Sequence, residues 1–103
     1  MLTKADKEVV CVAQFSAQAG KEEELLRALH SLMEPTHKED GYIRYELNQA
    51  IDNPRTITFI EKFKSQEAFE FHCKTSYIKN FFDNTAPNLM DGVVVTLYKE
   101  VLP

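Results

Sequence analysis

The clearest structural pattern in this chain is the stretch YIRYELNQAIDNPRTITFIEKF, from Tyr42 to Phe63. Its first part, Tyr42–Asn48, alternates along the chain, and strand side chains point alternately to the two faces of a sheet. Ile43, Tyr45 and Leu47 share one face, and Tyr42, Arg44 and Glu46 share the other. The segment Gln49–Arg55 contains Asp-Asn-Pro, a strong turn signal, and Thr56–Phe63 is again apolar and β-branched. The stretch therefore predicts an antiparallel hairpin.

Strand and helix patterns alternate on both sides of this hairpin. Val9–Phe15 reads as a buried strand, and Lys21–Glu34 has one apolar stripe at helical spacing that Pro35 should end or kink. After the hairpin, Ser65 is a good N-cap for a helix that runs to about Lys74. A further helical piece follows over Tyr77–Thr85, and Val93–Val101 is the last strand. The order β-α-β-β-α-β predicts an α+β, ferredoxin-like split βαβ fold with an antiparallel sheet.

Length and composition restrict the class of protein. The 103 residues fit a single domain over 1–103, with a core over about 9–102. The net charge of −4, without a Lys/Arg cluster, argues against a nucleic-acid partner. Two cysteines, Cys11 and Cys73, are too few for a disulfide framework. We expect a cytoplasmic protein with no membrane partner, because no apolar run reaches the length of a signal peptide core or a membrane span.

The first and last strands of the predicted sheet carry apolar residues on both faces. Val9 and Cys11 oppose Val10 and Val12, while Val93 and Val95 oppose Val94. Helices cover only one face of a ferredoxin-like sheet, so a second cover is needed. The pattern predicts a homodimer with sheets packed against each other in a dimeric α+β barrel.

Glu61 is the most unusual residue of the chain. It shares its strand face with Ile57, Phe59 and Phe63, so its carboxyl group should be desolvated and its pKa raised unless it is paired. Such a group suits a general acid or base. The alternative is a structural carboxylate satisfied by backbone N–H groups or an arginine.

His72 is the second candidate. It falls on the same helix stripe as Ala68 and Phe69, which should face the sheet. A histidine there can act as a proton shuttle near neutral pH, or it can be a core residue bonded to a backbone carbonyl. We expect Glu61 and His72 to converge on one cavity, no farther apart than one bridging water.

Tyrosines and an arginine complete the candidate set. Tyr45 and Tyr77 could each place a hydroxyl in a pocket, although strand tyrosines are commonly packing residues. Arg44 could hold an anionic group or simply pair with Glu46. No metal or cofactor is expected, because the sequence has no CxxC, HExxH, GxSxG or phosphate-binding glycine loop.

Three stretches together resemble the antibiotic biosynthesis monooxygenase (ABM) family over roughly Val9 to Leu102. The run AQFSAQAGKEEELLRAL is similar to the opening of these domains. EDGYIRYEL resembles their acidic-Gly-x-x-x-Tyr-Glu signature, and DNPRTITFIEKFKSQEAFEFH their Asp-x-Pro, Glu-x-aromatic and His pattern. The resemblance implies a dimer whose subunits each hold a pocket between sheet and helices. It places Glu61 and His72 at the recurring Glu and His, and Tyr45 in the Tyr-Glu pair.

Three departures qualify the resemblance. Where the family often has Cys after the glycine, this chain has Tyr42. Where it often has Trp two residues after the Glu, this chain has Phe63, which is then expected to contact substrate. Tyr77 stands where a second His often follows. The chain contains no Trp, so the haem-degrading branch of the family is disfavoured.

The resemblance implies a small-molecule substrate, and the first hypothesis is cofactor-independent monooxygenation of a quinol or similar electron-rich phenol. His72 would be the base, Glu61 its partner, and Tyr45 and Tyr77 orienting groups. The first alternative is an isomerase of a small metabolite, since a Glu–His pair can also move a proton beside a carbonyl. The second is a non-catalytic, small-molecule-binding or stress-associated dimer.

Overall fold

The computed structural model describes residues 2–103. The strands are β1 (Val9–Ala17), β2 (Tyr42–Gln49), β3 (Thr56–Phe63) and β4 (Met90–Tyr98). The α-helices are α1 (Glu22–His30), α2 (Met33–Thr36), α3 (Gln66–Lys74) and α4 (Ser76–Asn80). A π-helical turn, Phe81–Thr85, and a 3-10 turn, Ala86–Asn88, lead from α4 into β4.

The four strands form one antiparallel sheet in the order β2-β3-β1-β4. Hydrophobic side chains alternate along the central strands, and Phe15, Ile57 and Phe59 are buried against the helices. The element order and the antiparallel pairing confirm the predicted ferredoxin-like fold. One face of the sheet carries the core, and we call the other face the open face.

The first hairpin strand does not alternate as simply as the sequence predicted. A register shift lies between Tyr42 and Arg44, so Tyr42 pairs with Phe63 and packs against the core. Ile43, which we expected to share a face with Tyr45, is 40% exposed at this bulge. A bulge inserts one residue into a strand and reverses the faces on either side of it. The prediction that Tyr42 and Tyr45 lie on opposite faces was therefore wrong, because both pack against the core.

The first helical region is interrupted earlier than predicted. Lys21–Glu34 was expected to be one helix that ends or kinks at Pro35, but α1 ends at His30 and Pro35 lies within α2. Proline is tolerated in the first turn of a helix, where its missing N–H would have no intrahelical partner. α2 and the turn after it then carry the chain back toward the sheet.

The edge strand β4 begins and ends earlier than the predicted Val93–Val101, and much of its surface is uncovered in this chain. Val94, on the open face, is 65% exposed, and Val95, on the helix side, is 50% exposed. No helix of residues 2–103 is both long and apolar enough to cross a membrane.

Candidate active site

A cavity of about 80 Å³ lies between the sheet and the helices. Its walls are mostly aromatic and aliphatic, and they include Phe15, Phe59, Phe69, Phe81 and Leu32. The side chains of Glu61, His72 and Tyr45 also line it. Phe82 and Val95, which also line it, are exposed, so the cavity reaches the protein surface on that side.

Glu61 enters the cavity from the middle of β3. Its cross-strand neighbours are Cys11 on β1 and Tyr45 on β2, and the residue is only 5% exposed. Burial, and secondarily the charge of Glu39, raises the pKa of Glu61 from 4.5 to about 8. No arginine and no backbone N–H of residues 2–103 is bonded to it, and the imidazole of His72 faces its carboxyl group. Glu61 is therefore largely protonated near neutral pH.

His72 reaches the same cavity from α3. The Ser65 hydroxyl caps this helix by accepting a hydrogen bond from the Ala68 N–H at 3.1 Å, which fixes where the helix begins. The imidazole Nε2 lies 3.8 Å from Glu61 Oε1, and the residue is 3% exposed. Burial lowers the pKa of His72 below 6.5, although its contact with Glu39 opposes this shift. The imidazole is thus held neutral at neutral pH.

Glu39 is a site residue that the sequence analysis missed. It lies in the turn between α2 and β2, and its side chain is 5% exposed. Its Oε2 lies 2.9 Å from His72 Nδ1 and accepts a hydrogen bond from the Tyr77 hydroxyl. The acidic-Gly signature around Gly41 contains Glu39 and was the one sequence feature that pointed to it. Glu39 lies in a turn within a polar run, where no strand or helix periodicity separates a buried residue from its exposed neighbours.

The two predicted site tyrosines lie in different places. Tyr45 lines the cavity, and its ring centroid lies 5.3 Å from that of His72. Burial, with the charge of Glu61, raises the pKa of the Tyr45 phenol well above its ordinary value. Tyr77 does not line the cavity with Glu61; its hydroxyl is bound to Glu39, and it lines a separate surface groove.

Phe63 and Arg44 also lie outside the cavity wall. Phe63 is fully buried behind His72, with ring centroids 4.8 Å apart. Arg44 lies on the open face and donates to Glu46 Oε1 at 2.7 Å. Of the predicted site residues, the structure brings Glu61, His72 and Tyr45 together at the cavity. Tyr77 is connected to His72 only through Glu39, and Arg44 is on the other side of the sheet.

The three acid and imidazole groups do not converge on one point. Glu39 and Glu61 approach opposite nitrogens of the His72 ring. Within residues 2–103 no group of three or more His, Cys, Asp or Glu side chains is arranged to hold a metal ion. What the arrangement offers is a neutral acid and a neutral base, side by side, at the end of an apolar cavity.

Comparison with known proteins shows a family match for most of the chain. The family model described as "Antibiotic biosynthesis monooxygenase" (ABM) matches residues 8–84. "Putative monooxygenase YcnE" of Bacillus subtilis is 29% identical over 73 residues, which are 71% of this chain and 77% of that protein.

Solved structures agree in fold. The crystal structure of protein SO0527 from Shewanella oneidensis has a TM-score of 0.97 and 40% identity, with 100% of each chain covered. PA3566 from Pseudomonas aeruginosa has a TM-score of 0.88 at 24% identity, over 93% of this chain and 96% of that one. The family match spans the cavity residues from Cys11 to Phe82, and with it the Glu61–His72 pair. The chain therefore belongs to the antibiotic biosynthesis monooxygenase family.

Proposed function

We propose that this protein is a cofactor-independent monooxygenase that acts on a quinol or a similar electron-rich phenol. The observation that carries the proposal is the Glu61–His72 pair at the end of an aromatic cavity. Family membership and the monooxygenase name of the Bacillus relative support the reaction class. An apolar pocket with a few convergent polar groups is the usual form of a small-molecule site.

The cavity favours an aromatic ligand over a small polar metabolite. Phe15, Phe59 and Phe81 offer ring edges and faces to a planar molecule. Arg44, the residue that could have anchored an anionic isomerase substrate, is paired with Glu46 on the open face. The isomerase alternative therefore has less support than oxidation, although the acid–base pair alone would serve either.

The cavity volume limits how the ligand binds. A void of roughly 150 Å³ is the size known to hold benzene, so about 80 Å³ does not enclose a whole ring. Because the cavity opens at Phe82 and Val95, a ring could enter edge-on with its reacting hydroxyl directed at Glu61 and His72. The remainder of the ligand would lie at this opening.

The chemistry follows from the protonation states of the pair. His72 Nε2 would take the proton of a substrate hydroxyl, and Glu61 would donate a hydrogen bond to the developing oxyanion. The anion then passes one electron to O2, and the resulting radical and superoxide combine at a ring carbon. His72 returns its proton to the peroxide formed there. Loss of water, with the hydrogen of that carbon, leaves a carbonyl, so quinol plus O2 gives hydroxyquinone plus water.

The proposal includes a homodimer. Val94 and Tyr98, which lie on the open face of β4, are 65% and 50% exposed, and Val12 lies beside them. A second subunit packed on this face would cover them and remove apolar surface from water.

The test is oxidation of a panel of naphthoquinols by the purified protein under oxygen, without added metal or flavin. We expect product formation above the autoxidation rate, and no product in an anaerobic chamber. His72→Ala and Glu61→Gln should each lower kcat about 100-fold or more, the range of general acid–base catalysis. Because the side chains act as a pair, the double variant should be little worse than either single variant.

His30→Ala is the matched control, since His30 is an exposed histidine on α1 and should leave kcat unchanged. A rate equal to autoxidation across the panel would refute the proposal for quinols. Turnover that continues without oxygen would favour the isomerase alternative.

A further inference from the structure

The turn that carries Glu39 is fixed by its own backbone. The Glu39 N–H donates to the Thr36 carbonyl at 3.0 Å, and the Glu39 carbonyl accepts from the Tyr42 N–H at 3.3 Å. Gly41 follows, and a Cβ built on it would lie 2.3 Å from the Ala68 Cβ of α3. The turn therefore sits directly against the helix that carries His72, at a distance that only glycine allows.

The Glu39 side chain is buried at the junction of three elements. Its Oε2 contacts His72 of α3 and Tyr77 of α4, while its Oε1 is buried without a hydrogen-bond partner among residues 2–103. The Tyr77 hydroxyl also lies 3.4 Å from the Pro35 carbonyl of α2. Burying a carboxyl group is costly unless it is bonded, so this contact set is a specific feature and not a solvated surface pair.

These contacts determine which imidazole nitrogen carries the proton. Burial raises the pKa of Tyr77 to about 12, so its hydroxyl keeps its proton and acts as a donor to Oε2. A carboxylate oxygen that accepts one donor can accept a second, and Nδ1 at 2.9 Å then has to be that donor. A neutral imidazole has one N–H only. With the proton on Nδ1, Nε2 has a free lone pair that faces Glu61 and the cavity.

We propose that Glu39 is a positioning residue that holds neutral His72 in the Nδ1–H tautomer, with Nε2 free to accept a proton from a ligand in the cavity. This inference rests on the proposed function for its catalytic consequence. Its structural content, the tautomer, stands independently of any substrate. Glu39 touches no cavity ligand itself and acts through His72.

The test is 15N NMR of the His72 side chain in the full-length protein without substrate. We expect Nδ1 to show the shift of a protonated nitrogen and Nε2 that of an unprotonated one. In Glu39→Gln, the amide can offer an N–H to Nδ1, so the protein should show a large increase in the Nε2–H tautomer. The same variant should lose kcat about 100-fold or more with naphthoquinols, because Nε2 is no longer a free acceptor.

Asp40→Asn is the matched control, because Asp40 is the exposed acidic neighbour on the same turn and should change neither readout. Tyr77→Phe leaves Oε2 to His72 alone and should keep the Nδ1–H tautomer, which gives a second variant if Glu39→Gln does not fold. An Nε2–H tautomer in the unmodified protein, or a Glu39→Gln spectrum equal to it, would overturn the proposal. If the tautomer is as expected but no quinol is oxidised, the proposed function has failed and the positioning role has not.

Discussion

Glu46 and Glu61 lie on neighbouring strands of one sheet, yet they behave oppositely. Glu61 faces the helices, and burial raises its pKa to about 8. Glu46 faces the open side, where a hydrogen bond from Arg44 lowers its pKa below 4.5. The residue type is the same, so the face of the sheet decides whether a glutamate is an acid for chemistry or a surface ion-pair partner.

The pH dependence of folding stability tests this difference between Glu61 and Glu46 most strongly. The folded pKa of Glu61 is raised, so between pH 4.5 and about 8 the unfolded chain releases a proton that the folded chain retains. The free energy of unfolding should therefore fall as pH rises from about 6.5 to 8. Below pH 6.5 the lowered pKa of His72 gives an opposing slope, because the unfolded imidazole binds a proton that the folded one does not. At about 1.4 kcal/mol per pKa unit, the loss is on the order of a few kcal/mol.

Glu61→Gln removes this titration, so its stability should exceed that of the unmodified protein at pH 9 by more than at pH 5. Glu46→Gln is the matched control and should leave the slope over this window unchanged. The measurement is urea unfolding of the three proteins at half-unit pH intervals. An unmodified protein whose stability rises from pH 6.5 to pH 8 would contradict the burial of a protonated Glu61.

A smaller effect on stability is expected from substituting Gly41, which packs closely against α3. Gly41→Ala places a methyl group 2.3 Å from the Ala68 Cβ, so the turn and α3 must separate. Overpacking of this kind costs about 1–3 kcal/mol, and here it should also weaken the contact between Glu39 and His72. Thermal unfolding and the His72 15N spectrum would both report it.

Gly92→Ala is the control for this prediction, because a Cβ there would meet nothing within 4 Å. Gly92 lies on the open face of β4 opposite Ser16. Its substitution should change stability by about 0.5 kcal/mol or less, as is usual for surface changes. Equal effects of the two substitutions would show that the turn does not pack closely on α3.

The sequence was sufficient for the elements that have a periodic pattern. Alternation along Thr56–Phe63 placed Glu61 on an apolar face, and helical spacing after Ser65 placed His72 opposite it. Both are buried in the structure, and His72 Nε2 lies 3.8 Å from Glu61 Oε1. Periodicity predicts such positions because strand and helix geometry fix which side chains share a face.

The features that the sequence did not yield depend on contacts between distant segments. The bulge that exposes Ile43 follows from how β2 aligns with β3, and nothing in the alternation marks it. Glu39 is adjacent to Asp40 in a polar run, and only the approach of α3 and α4 distinguishes the buried carboxyl from the exposed one. Alternation places Arg44 and Glu46 on the face of β2 opposite Tyr45, as observed, and only the position of the cavity shows that this face lies away from the site.

The central claim is that Glu61 and His72 form one coupled acid–base pair, with the proton on Glu61 at neutral pH. The most direct measurement is an NMR titration of the Glu61 carboxyl carbon together with the His72 ring nitrogens. The account predicts a carboxyl midpoint near pH 8, accompanied by a shift of the His72 nitrogens at the same pH, because coupled groups titrate together. A carboxyl midpoint near the ordinary value of 4.5, with His72 titrating independently of it, would contradict the account.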